Sequence, residues 1–106
     1  MSKKNVLSQK KKRTVLTHEN RQAAGFMGSK DEYLVIAPEM VVDGEAVAID
    51  EIGRKAFFEC GQLRNVVVLN GIKKIGAEAF SGCPSLRSVD LPEGLKSIST
   101  EAFKNC

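Results

Sequence analysis

The chain has 106 residues and a net charge of +3, a length that suits one small domain and leaves little room for a second. With 42% apolar and 27% charged residues it resembles a globular chain, not a disordered one, and no apolar run approaches the roughly 20 residues that span a bilayer. One histidine, three cysteines and no tryptophan exclude a disulfide-rich scaffold and offer little for acid–base catalysis, so composition favours a binding or structural module that is not an enzyme and has no cofactor.

Positive charge is concentrated in the first 30 residues. They contain eight lysines and arginines against one acidic residue, Glu19, whereas residues 31–106 contain eight against twelve. Large apolar side chains are also sparse before residue 31. We therefore expect residues 1–32 to form a basic, flexible arm, because so few apolar groups cannot offset the entropy lost on ordering.

The arm contains two local features. A short helix is predicted from Thr17, a suitable N-cap, to Ala24, with Gly25 ending it. Clustered cations can neutralise phosphates and release counterions, so the alternative to protein binding is binding of nucleic acid or an anionic membrane. The residues predicted to bind such an anion are Lys10, Lys11, Lys12 and Arg13.

A repeat of 23 residues begins at Ile52. Residues 52–74 and 75–97 are identical at ten positions, and a third copy occupies residues 98–106. Because each coil of a solenoid repeats the contacts of its neighbour, this periodicity predicts a stack of coils. The residues that recur in all three copies are Ile52, Ile75 and Ile98, then Phe57, Phe80 and Phe103, then Cys60, Cys83 and Cys106.

Each complete repeat contains one predicted strand. Segments 63–68 and 86–91 have the L-x-x-L-x-L spacing of leucine-rich repeats, in which each unit adds a short strand to a parallel sheet. Strand geometry points Val66 and Val68 to one side and Val67 to the other. The pattern I-G-x-x-A-F-x-x-C at the start of each repeat predicts a tight turn or a single helical turn.

These elements predict an α/β-type repeat solenoid, a short right-handed coil with a parallel β-sheet. Side chains that recur at the repeat interval should form inward columns, with the phenylalanines as a stacked aromatic spine. The predicted core consists of Ile52, Phe57, Cys60, Leu63, Val66, Ile75, Phe80, Cys83, Leu86, Val89, Ile98 and Phe103.

The cysteine column permits three interpretations. Neighbouring strands lie about 5 Å apart, which suits a disulfide, but side chains in one column of a parallel stack point the same way. We expect buried free thiols that act as small hydrophobic groups. The alternatives are an intermolecular disulfide through Cys106 and a metal site in which His18 supplements the three cysteines.

Residues 75–92, with the sequence IGAEAFSGCPSLRSVDLP, resemble the leucine-rich repeat of the BspA-like (Treponema pallidum type) family. Residues 33–53 resemble the family's first unit, a strand followed by a D-G-x-x-V turn and the I-G motif. The resemblance divides residues 33–106 into a leucine-rich-repeat domain whose units are 33–51 (a variant first unit), 52–74, 75–97 and 98–106 (a truncated repeat).

The resemblance implies a role in protein–protein interaction or adhesion, often at a cell surface, without catalysis. No apolar stretch of about 7–15 residues follows the lysines of residues 1–13, so the sequence as written has no secretory signal. We therefore expect a cytoplasmic protein, or a cell-surface protein if the sequence is a fragment of a longer family member.

The candidate binding surface is the side of the predicted sheet that faces away from the core. Val67 and Leu69 would leave apolar groups outside, which usually marks a contact surface. The predicted partner-binding residues are Arg64, Asn65, Val67, Leu69, Arg87, Ser88 and Asp90.

The last coil is a second candidate contact, because each coil of a solenoid buries one face against the next. An uncovered coil at residues 98–106 leaves an apolar floor and an unpaired strand edge. Three outcomes stay open: a longer array, a homo-oligomer joined through this coil, or marginal stability.

Overall fold

The computed structural model describes residues 12–28 and 30–106. Within these ranges the chain forms eight strands and one 3-10 helix, Arg21–Ala24. The strands are Lys12–Leu16 (β1), Tyr33–Ile36 (β2), Glu39–Val42 (β3), Glu45–Ile52 (β4), Asn65–Val68 (β5), Lys74–Ile75 (β6), Ser88–Asp90 (β7) and Ser97–Ile98 (β8).

The strands form two sheets that enclose one core. The front sheet consists of β2, β5 and β7, all parallel, and the back sheet has the order β1-β4-β6-β8, also parallel, with β3 antiparallel to β4. Asn65 pairs with Ser88 in the front sheet, and Ile52 with Ile75 in the back sheet. Each repeat thus adds one strand to each sheet, which confirms the repeat solenoid.

The α/β description holds only in part, because no α-helix occurs in the described residues. The predicted helical turn is instead a set of turns stacked between coils: Phe57 N–H donates to Ala79 O at 2.7 Å, and Phe80 N–H to Ala102 O at 2.8 Å. Lys55, Glu78 and Glu101, one in each coil, have φ of 56°, 56° and 69°. A left-handed residue at this position interrupts any helix, and it turns the backbone N–H groups toward the next coil.

Phenylalanine side chains form the predicted spine. The rings of Phe57 and Phe80 are stacked with centroids 5.2 Å apart, and those of Phe80 and Phe103 with centroids 5.3 Å apart. Phe26 extends the column by an edge contact to Phe57 at 5.2 Å.

The predicted core residues differ in burial along the stack. Ile98 contradicts its prediction, being 44% exposed, because no described coil covers the far side of its own coil. The half-buried members are Cys60, Leu86, Val89 and Phe103. The fully buried members are Ile52, Phe57, Leu63, Val66, Ile75, Phe80 and Cys83.

The glycine of the I-G motif lies where two coils pass closely. A Cβ at Gly76 would lie 2.9 Å from the backbone nitrogen of Arg54 and 3.0 Å from the carbonyl oxygen of Ile52. Backbone atoms cannot rotate away as a flexible side chain can. The motif therefore sets the spacing between coils.

Replacing Gly76 with alanine is expected to lower the free energy of unfolding by about 1–3 kcal/mol, the usual cost of overpacking. Gly94→Ala is the matched control, because a Cβ there would meet no atom within 4 Å. Urea denaturation of the two variants checks this, and equal stability of the two would contradict the close approach.

The described part of the expected arm, Lys12 to Gly28, differs from the prediction. β1 pairs in parallel with β4, and Gly53 N–H donates to Leu16 O at 2.7 Å, as Gly76 N–H does to Ile52 O. The segment therefore occupies the place of a preceding coil. It orders because Leu16 and Phe26 are buried in the common core.

The helix in this segment is shorter than predicted. Thr17 and Asn20 exchange hydrogen bonds, from Thr17 N–H to Asn20 Oδ1 at 2.8 Å and from Asn20 N–H to Thr17 Oγ1 at 3.2 Å. This closed turn delays the helix to Arg21–Ala24, where it is 3-10 in type. Gly25 ends it with φ of 97°, as predicted.

Candidate functional site

The outer side of the front sheet carries an apolar patch. Leu34 and Ile36 of β2 are buried, so strand alternation places Tyr33 and Val35 outside, where they are 62% and 41% exposed. Val35 pairs in register with Val67 of β5. Aromatic and branched apolar side chains thus lie side by side on two neighbouring strands.

Polar groups adjoin this patch. Asn65 Nδ2 donates to Ser88 Oγ at 2.6 Å, which links β5 to β7. Asp90 stands opposite Val67 in the register, and Arg64 forms an exposed ion pair with Glu32 at 3.5 Å. The outer front face is the name used below for the set Tyr33, Val35, Asn65, Val67, Leu69, Ser88 and Asp90.

The structure brings most of the predicted partner-binding residues to this face. Val67 is half-buried between its neighbours, and Leu69, immediately after β5, is 41% exposed. Arg64 and Arg87 lie just before β5 and β7, at the end of the sheet where those strands begin, and Arg87 N–H donates to Arg64 O at 2.8 Å. These two arginines border the face instead of belonging to its centre.

Sequence analysis missed Tyr33 and Val35. Tyr33 pairs with Asn65, an interval longer than the 23 residues that separate Asn65 from Ser88, because the β3–β4 hairpin is inserted in the first unit. A search at the repeat interval therefore passes over them. Their signal is the alternation in Tyr33–Ile36, in which polar or exposed positions are occupied by apolar residues.

The predicted anion-binding cluster is only partly described, since Lys10 and Lys11 lie outside the described residues. Lys12 pairs with Glu45 at 2.9 Å and Arg13 with Asp50 at 3.2 Å, both across the pairing of β1 with β4. The hydrogen bond to Glu45, helped by its charge, raises the pKa of Lys12. These two cations are therefore engaged by carboxylates of the chain itself.

All three cysteines are free thiols, with Cys60 half-buried, Cys83 buried and Cys106 exposed. Among the side chains of residues 12–28 and 30–106, no three of His, Cys, Asp or Glu lie close enough to hold a metal ion. No helix in that part of the chain is long and apolar enough to cross a membrane.

Comparison with known proteins gives one family and one solved structure. The family described as BspA type leucine rich repeat region, in 6 copies, matches residues 49–106. The crystal structure of a T. pallidum leucine rich repeat protein matches with a TM-score of 0.63 and 35% sequence identity, over 73% of this chain and 34% of that protein. The chain thus spans about a third of that neighbour's length. No curated protein matches the sequence.

Proposed function

The chain belongs to the BspA-type leucine-rich repeat family, and from this premise we propose that it is a non-catalytic module that binds a protein partner through the outer front face. Such a face is held rigid by main-chain pairing along three parallel strands. Rigidity favours binding, because few groups lose freedom when the partner arrives.

The observation that carries the proposal is the exposure of adjacent apolar side chains. Tyr33, Val35 and Leu69 are all exposed, although each lies on or beside a sheet whose opposite side is the core. Protein interfaces typically have an apolar, aromatic centre with a polar rim. The Asn65–Ser88 pair and Asp90 supply that rim. Adhesion would use the same face, with the partner carried on another surface.

Binding of nucleic acid or an anionic membrane gains no support from the described part of the basic cluster. Lys12 and Arg13 would have to give up Glu45 and Asp50 to contact phosphates.

A homo-oligomer through the last coil is favoured by one observation, the exposure of Leu91 and Ile98. Light scattering over a range of concentrations tests it. We expect the mass to rise with concentration, and Ile98→Ser to abolish that rise. A mass that stays at one chain throughout would remove the proposal.

The experiment that tests partner binding uses the face itself to find the partner. A photoreactive phenylalanine analogue replacing Tyr33 should crosslink a protein in an extract of the source cells, and the same analogue replacing the exposed Lys104 should not. The captured protein is then purified, and its affinity for the chain is measured by calorimetry.

The variant Tyr33→Ala, Val35→Ser, Leu69→Ser is expected to weaken this affinity at least tenfold, because central apolar groups dominate interface energy. The matched control changes three exposed back-sheet lysines, Lys73, Lys74 and Lys96, to alanine and should bind normally. Thermal unfolding checks that both variants fold. Binding that survives the first variant and fails in the second would overturn the proposal.

A further inference from the structure

A cleft of about 310 Å³ lies between the N-terminal segment and the turn of the first complete repeat. It is separate from the outer front face. Its lining includes Arg21, Phe26, Asp31, Phe58, Glu59 and Cys60. Two of these groups, the Arg21 guanidinium and the Cys60 thiol, are in contact.

Cys60 differs from the other members of the cysteine column. The thiols of Cys83 and Cys106 each donate to a carbonyl oxygen of the preceding coil, Phe57 O at 3.1 Å and Phe80 O at 3.0 Å. Cys60 is 4.0 Å from its nearest carbonyl acceptor, in its own coil, and receives a hydrogen bond from Arg21 Nη1 at 3.6 Å. Its sulfur is therefore placed as an acceptor, which suits a thiolate.

The guanidinium beside the sulfur is fixed and not neutralised. Arg21 Nη1 also donates to Ala56 O at 2.8 Å, and the guanidinium carbon lies 4.5 Å from the centre of the Phe26 ring. Asp31 and Glu59 face the same cleft, but no carboxylate of the described residues forms an ion pair with Arg21. Its full charge is thus available to Cys60.

Acidity of the thiol agrees with this geometry. A hydrogen bond from Cys83 and then the charge and hydrogen bond of Arg21 lower the pKa of Cys60 to about 7 from 9.0, against the opposing effect of burial. The same pairing raises the pKa of Cys83. Cys83 has one proton for two acceptors, Cys60 and Phe57 O, so Arg21 is the constant partner of the Cys60 sulfur.

We propose that Cys60 is a modification site for small hydroperoxides, with Arg21 as the group that orients and activates it. The thiolate attacks the terminal peroxide oxygen, an S–O bond forms as the O–O bond breaks, and the attacked oxygen keeps its hydrogen. The departing oxygen leaves as hydroxide or alkoxide and takes a proton from water. Sulfur is oxidised by two electrons to sulfenic acid while the peroxide is reduced to water or an alcohol.

Hydroperoxides fit this site for two reasons. The cleft admits a small molecule to a half-buried sulfur. The oxygen that leaves acquires negative charge, which a neighbouring guanidinium stabilises. Cys106 is more exposed but has no cation in contact among the described residues, so exposure alone predicts the opposite order of reactivity.

The test treats the full chain with hydrogen peroxide at pH 7, traps sulfenic acid with dimedone, and quantifies tryptic peptides by mass spectrometry. Trypsin separates the cysteines, since residues 56–64 carry Cys60 and residues 75–87 carry Cys83. We expect Cys60 to be labelled about fivefold faster than Cys106, because its larger thiolate fraction outweighs the lower nucleophilicity of a more acidic thiol. Equal or slower labelling of Cys60 would overturn the proposal.

A second measurement follows alkylation by iodoacetamide between pH 5.5 and 10. The rate at Cys60 should reach half its maximum near pH 7, and a midpoint above about 8.5 in the unmodified protein contradicts the proposal even if no variant folds. Arg21→Gln should move the midpoint up by about one pH unit, and Arg21→Lys should restore part of the shift. Arg54→Gln, a change to an exposed arginine of the same coil, is the matched control and should leave it unchanged.

Discussion

Phe80→Ala is expected to lower the free energy of unfolding by about 3–5 kcal/mol, the usual cost of removing a buried phenylalanine. The ring is fully buried and stacks on both faces, against Phe57 at 5.2 Å and Phe103 at 5.3 Å. A cavity at this position lies between two coils that are joined mainly by short strands and turn hydrogen bonds. Little of the structure can relax into it, so we expect the loss to lie toward the upper end.

Urea denaturation followed by circular dichroism measures this loss. Phe103→Ala is the matched control, because the same group is removed from a half-buried ring that stacks on one side only. We expect it to cost less than half as much. Comparable losses at the two positions would show that stacking between coils contributes little, and an unchanged Phe80→Ala protein would refute the inward column.

The repeat interval alone predicts the centre of this fold. Phe57 and Phe80 recur 23 residues apart and stack, and Val66 and Val89 recur at the same interval and pair in register. Inward columns follow because a solenoid maps equal sequence intervals onto equal positions in neighbouring coils. The prediction weakens toward the last coil, where Ile98 has the right residue type but no described neighbour beyond it.

The turns between sheets could not be predicted in detail. Lys55, Glu78 and Glu101 adopt positive φ without being glycine, so their residue types carry no signal for the left-handed conformation. The backbone is held there by hydrogen bonds to the next coil. Such bonds are a property of the stack, and one repeat considered alone is compatible with a helical turn.

The candidate binding face was predicted in part. Val67 and Asp90 follow from strand alternation within the repeats, whereas Tyr33 and Val35 lie in a unit whose spacing the β3–β4 hairpin has changed. The same limitation hides Arg21 beside Cys60, since the two meet only when the N-terminal segment docks on the first repeat. Both sites therefore depend on contacts outside the period.

The docking of the N-terminal segment leads to the second large expected effect. Leu16→Ala should lower the free energy of unfolding by about 2–4 kcal/mol, because Leu16 is completely buried and takes the position that Ile52 and Ile75 take in later coils. Its carbonyl also receives the Gly53 N–H at 2.7 Å, so its backbone is held while its side chain is removed. A cavity should remain.

Leu69→Ala provides the matched control for this measurement, since the same groups are removed from a leucine that is partly exposed. We expect a loss of about 1 kcal/mol or less there. If residues 12–28 behaved as an independent basic arm, Leu16→Ala would be as mild as the control. A loss of the expected size, in one cooperative transition, instead requires that the segment unfold together with the repeats, as a coil that the period of the sequence does not reveal.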